Sequence, residues 1–162
     1  MGALTFEVND FIENNLDLIE DRAWDEIYDN ARFTLDSESI GKFTEAMLSI
    51  GEDPLESLDY VPEYYLADTK IDSFTIPNHI LELSEGCFSY SSLKEIIIPD
   101  GVTTIGKYAF YECPQLKRVV IPPSVQNIEG NSFYPFDGII VCKEGSVADL
   151  YAINCNVDVE HH

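Results

Sequence analysis

The residues able to do chemistry are few and widely spread. Cys87, Cys113, Cys142 and Cys155 show no C-x-x-C spacing, and His79 is the single internal histidine, so no Cys/His zinc set can be assembled. Four reduced thiols buried as small hydrophobes are expected. His79 stands beside the Pro77-Asn78 turn with no relay partner in view, which predicts an exposed loop residue and not a general base. Asp17, Asp21, Asp25 and Asp29 recur every four residues; cation binding is one reading, but like charges at this spacing predict a solvated face. The string "DSESIGKFTEAM" from Asp36 has Asp, Glu and Gly where a calcium loop has its first, third and sixth positions. It puts Ile40 at the fifth and Met47 where the bidentate Glu must stand, which rules the loop out. No Gly-rich phosphate loop, G-x-S-x-G elbow or His-Glu-x-x-His appears. Neither an enzyme nor a cofactor or metal is predicted.

The charge balance narrows the partners. Nine basic against 30 acidic side chains give −21, which repels nucleic acid and anionic membrane and favours basic partners at long range. Apolar residues at 45% and aromatics at 12% are too many for a disordered chain. Residues 1–70 carry 18 of the acids and only four bases. No apolar run reaches the roughly 18 residues of a membrane span, and "MGALTFEVNDFIENN" lacks the basic start and apolar core of a secretory signal. The chain as it stands is expected to be cytoplasmic, or at the cell surface if a leader has been trimmed. Met1-Gly2 resembles a vector start, and Glu160-His161-His162 resembles a tag remnant set apart from the fold.

What could position so little chemistry is a repeat. "LKEIIIP" from Leu93 returns as "LKRVVIP" from Leu116. Val61, Leu83, Ile105 and Ile128 lead units separated by 22, 22 and 23 residues, and each is followed five residues later by Leu66, Phe88, Phe110 or Phe133. A unit of this length is one turn of a coil: a short strand Leu-x-x-Val-x-Ile, a Pro that ends it, and a return segment. One turn cannot bury its own apolar face, so the turns must stack. Stacking aligns Phe88, Phe110 and Phe133 into a ladder, with Phe74/Ile96/Val119 and Ile76/Ile98/Ile121 forming others.

"IPDGVTTIGKYAFYECPQLKRVVIPPSV" resembles the BspA-type leucine-rich repeat family, with its I-P-x-x-V-x-x-I-G-x-x-A-F-x-x-C-x-x-L pattern. The match is specific over Ile76–Val125 and extends over roughly residues 60–158. Cys87 and Ser132 replace the small Ala109, Cys113 lacks a counterpart in "FSYSSL", and Pro135-Phe136 interrupts the last turn. The resemblance implies a ligand-binding solenoid of bacterial surface and phage-associated proteins that engages other proteins without catalysis.

The fold expected is α+β. A solenoid of about three to four turns with its cap spans residues 61–159, behind an acidic domain of three or four helices over 1–60. The helices are read from Val8/Phe11/Ile12/Leu16/Ile19, Trp24/Ile27/Tyr28/Ala31 and Ile40/Phe43/Ala46/Met47/Ile50. Ser146 with Asp149 three residues on predicts a capping helix at the far end.

Two functional classes follow. In the first, strand positions turned away from the core present Asp72/Lys94/Lys117, Ser73/Glu95/Arg118 and Thr75/Ile97/Val120, and a protein partner contacts Ile97 and Val120 at the centre with Lys94, Lys117 and Arg118 at the rim. In the second, the acidic helices imitate nucleic acid toward a basic protein.

Overall fold

The Thr5 hydroxyl accepts the N–H of Val8 at 3.3 Å and opens the first helix, α1 (Phe6–Asn14). The computed structural model describes residues 4–162, so the Met1-Gly2 start lies outside the described residues. Helices α2 (Leu16–Glu20), α3 (Trp24–Thr34) and α4 (Ser37–Ser49) follow, making four among the described residues ahead of the strands, within the expected three or four. The Asp36 carboxylate caps α4 by accepting the Ser39 N–H at 2.8 Å, so the calcium-like string is a cap and its helix. Gly51, with φ +89°, adopts the left-handed conformation just beyond it. Arg22, at φ 54°, breaks the Asp17–Asp29 run between α2 and α3, so the four exposed aspartates do not share one helical stripe.

Among the described residues eight short parallel strands follow, divided between two sheets. One sheet is β1 (Tyr60–Val61), β2 (Glu82–Leu83), β4 (Thr104–Ile105) and β6 (Asn127–Ile128). The other is β3 (Glu95–Ile97), β5 (Arg118–Val120), β7 (Ile139–Cys142) and β8 (Asp158–His161). The sequence pointed to the second sheet alone; the first is built by the lead residues themselves, for Val61 pairs with Leu83, Leu83 with Ile105 and Ile105 with Ile128. A constant repeat length is what keeps those pairs in register. Between the sheets the phenylalanines stack, with centroids 5.4 Å apart for Phe88–Phe110 and 5.0 Å for Phe110–Phe133, the second pair nearly parallel at 3°. The turn three residues after each lead needs a left-handed residue: Tyr64, Gly86, Tyr108 and Asn131 all have φ between 58° and 63°. Glycine is required at one of them, because a Cβ on Gly86 would lie 2.3 Å from the Tyr64 ring.

Three expectations change. The coil makes about five turns, not three to four, because an extended pass over residues 71–76 precedes β3 and β8 adds a pass beyond β7. The residues set aside as a tag remnant are part of that last pass, Glu160 opposite Val141 and His161 opposite Cys142. Cys87, Cys113 and Cys142 are buried and free, but Cys155 is exposed, since it caps the outer end of α5 (Val147–Asn154). That helix starts as expected: the Ser146 hydroxyl accepts the Asp149 N–H at 3.2 Å, and the Asp149 carboxylate accepts the Gly145 N–H at 2.8 Å.

One apolar core runs from Val8 in α1 to Ala152 in α5, so the helices and the coil share it. Helix α4 meets the first turn at Gly41, where an added Cβ would stand 1.9 Å from the Ala67 carbonyl oxygen. Among the described residues no helix is long and apolar enough to cross a membrane.

Candidate partner-binding surface

Alternation along β3, β5 and β7 sends Ile96, Val119 and Ile140 into the core and turns Glu95 and Ile97 outward. The register then sets the outer face in rows: Glu95, Arg118, Ile139 and Asp158, and beside it Ile97, Val120, Val141 and Glu160. Ile97 is 63% exposed and Ile139 39%, but their strands are separated by β5, so the face carries apolar surface and not one continuous apolar patch. Val120 is less open. It is half-buried, and the next residue in its row, Val141, retains 4% of its surface.

Charges also cross this face. The Arg118 guanidinium on β5 donates to the Glu160 carboxylate on β8 at 2.9 Å, spanning the intervening strand that carries Ile139 and Val141. Lys117 is paired with Asp137, whose carboxyl is held below its usual value by the hydrogen bond and charge of that ammonium. Lys94 lies 3.9 Å from Asp72. All three cations expected at the rim are thus matched by acids of the same chain. Such exposed pairs stabilise weakly, but they cancel the local positive field.

What remains open is a groove of about 290 Å³ between the extended pass at Ser73–Asn78 and β3. Phe74, Ile76, Ile96, Ile97 and Pro99 form its apolar wall. Residues 71–76 form no ladder with β3, and the Lys94 N–H to Asp72 carbonyl bond at 3.1 Å joins the two only at one end. The groove follows from that separation.

A second exposed feature lies on the turns that link one sheet to the other. Tyr90 meets Tyr111 at 5.7 Å between centroids, Tyr108 meets Tyr111 at 5.1 Å, and Tyr111 stacks on Tyr134 at 6.3 Å. Tyr90 and Tyr134 are more than half exposed. The reading of the sequence missed this cluster; extending the unit alignment one column beyond the Phe ladder pairs Tyr111 with Tyr134 and would have shown part of it.

The side chains with catalytic potential are dispersed. His79 Nε2 lies 2.7 Å from the Leu55 carbonyl oxygen, tying its turn to the 3₁₀ turn at Pro54–Glu56. Burial pushes the Cys87 thiol well up, and Cys113 donates to the Phe88 carbonyl at 3.1 Å. An acidic cleft of about 390 Å³ between α3 and the first turn gathers Asp25, Glu26, Asp29 and Glu63 around Arg32 and holds no nucleophile–base pair. Among the described residues no three His, Cys, Asp or Glu side chains converge as metal ligands.

Residues 11–140 match the BspA type leucine rich repeat region, in six copies. No curated protein and no solved structure matches the chain.

Proposed function

Because the chain belongs to the BspA-type leucine-rich repeat family, a protein-interaction fold that is generally non-catalytic, we propose that it is a binding module of the bacterial or phage-associated kind whose strand face holds a protein partner. The observation that carries this reading is Ile97, 63% exposed on β3 beside the apolar Phe74–Pro99 groove. A large β-branched side chain in solvent, next to an apolar groove and bordered by charge, is the layout of a recognition centre. Ile97 and Ile139 act at the centre and Lys94 at the border, while Lys117 and Arg118 contribute by exchanging their intrachain acids for a partner's. Val120 supports Ile97 from beside it.

The test is an affinity measurement on a partner captured from source cells with the full chain. Ile97→Asp is expected to weaken binding at least about tenfold, because it puts a charge at the apolar centre, with the circular dichroism unchanged. Unchanged affinity would remove the strand face from the site.

One observation favours a second reading. Asp17, Asp21 and Asp25 are exposed and, among the described residues, form no ion pair, so the helices present uncompensated negative charge to a basic protein. Binding through them should fall steeply with salt, and apolar recognition at Ile97 should not.

A further inference from the structure

At the end of the molecule away from α5, α1 and α3 leave a groove of about 360 Å³ whose walls are Phe6, Phe33 and Leu35. Phe6 is 80% exposed and Phe33 75%, the two most exposed large hydrophobics of the described chain. The polar groups at the floor are satisfied within the chain: the Asn15 amide donates to the Phe11 carbonyl at 2.7 Å, and the Asn30 amide donates to Asn15 Oδ1 at 3.0 Å. The groove therefore asks its occupant for apolar surface and not for hydrogen bonds.

Its electrostatics are one-sided. Glu7 and Asp10 border it, and no lysine or arginine lines it. Arg32 stands over the Phe33 ring, 4.9 Å from its centroid, but is turned toward Asp29 and Glu63, and Arg22 is bonded to Glu52. The uncompensated field is negative, in a chain of net charge −21. The walls are helices, which offer at most single backbone groups at their ends and no strand edge, so an extended peptide would find no ladder to join. An occupant must bring its backbone already satisfied.

We propose that the α1–α3 groove binds a cationic amphipathic helix of a protein partner, its apolar stripe on Phe6 and Phe33 and its lysines or arginines facing Glu7 and Asp10. This site is separate from the Ile97 face and stands or falls independently of it.

The probe is a peptide of about 18 leucines and lysines with helical periodicity, titrated calorimetrically into the full chain, beside a scrambled peptide of the same composition. The periodic peptide should bind at least about tenfold more tightly than the scrambled one. Phe6→Ser with Phe33→Ser, both at exposed positions, should remove that advantage with the far-ultraviolet spectrum unchanged. Glu7→Lys with Asp10→Lys should weaken binding without touching the apolar wall, and Ile97→Asp should bind the peptide as the parent does. Absence of binding, equal affinity for the two peptides, or an unchanged affinity in the Phe6/Phe33 variant would each overturn the proposal, the second by showing attraction to bulk charge alone.

Discussion

Tyr65 carries the only buried side-chain polar atom among the described residues that lacks a hydrogen-bond partner. Its ring lies 5.5 Å from that of Tyr28, whose own hydroxyl is 2.7 Å from Thr44 Oγ1. Burial drives both phenols far above their ordinary value, so each is neutral in the folded chain. The two hydroxyls are nonetheless unequal, because one recovers a bond for its lost hydration and the other does not. Tyr65→Phe removes an unmet desolvation cost at almost constant shape, and is expected to stabilise the protein by about 1 kcal/mol in denaturant titration. Destabilisation by a comparable amount would mean that the Tyr65 hydroxyl is bonded in solution. The same logic explains a departure in the repeat: Ser132, standing where the middle unit has Ala109, is accommodated because its hydroxyl donates to the Gly106 carbonyl at 2.9 Å.

Among the elements, β8 is the most exposed to conditions. It is an edge strand, and one of its side-chain anchors titrates: His161 Nε2 meets Asp149 Oδ1 at 2.9 Å. The carboxylate raises His161 above its ordinary 6.5, and the imidazolium, followed by the Gly145 N–H, lowers Asp149 below its ordinary 3.8. For the histidine the folded value lies above the unfolded one, so its contribution is complete below about pH 6.5 and fades as pH rises through the raised value. For the aspartate the folded value lies below the unfolded one, so its contribution is complete above about pH 4 and fades as pH falls further. The ionic anchor is therefore strongest on the mildly acidic side of neutrality. Hydrogen exchange at the β8 amides should speed up as pH rises beyond about 6.5, in excess of the intrinsic pH dependence of exchange, and His161→Gln should remove that excess. An excess that persists in His161→Gln would place the titration elsewhere.

At the scale of the whole molecule, helices and coil are joined through Gly41. Alanine is the better helix former by about 1 kcal/mol, yet here its methyl would enter the space of the Ala67 carbonyl. Overpacking against backbone outweighs the propensity gain, and Gly41→Ala is expected to cost about 2 kcal/mol. Because one core spans both parts, Trp24 fluorescence, which reports on the helices, and Cys87 thiol accessibility, which reports on the coil, should shift to lower denaturant together. Separate midpoints would make the helices a domain that unfolds independently.

The 22- and 23-residue spacing of Val61, Leu83, Ile105 and Ile128 was enough to show a stacked coil and its Phe ladder, though not its first sheet or its turn count, because a parallel stack repeats its hydrogen bonds only when each turn has nearly the same length. The helices were equally legible, since the Ser146 cap and their apolar periodicity act within a few residues. The outward placement of Ile97 was legible from strand alternation, whereas the acids that pair with Lys117 and Arg118 were not. The Arg118–Glu160 bond joins residues 42 positions apart, and it spans the strand that carries Val141, beside half-buried Val120. Such pairings leave no periodic trace, and neither does a groove formed where α1 meets α3. Periodicity along the chain fixes which faces are apolar; which of those faces stays open depends on which distant elements come to lie across it, and only the tertiary structure decides that.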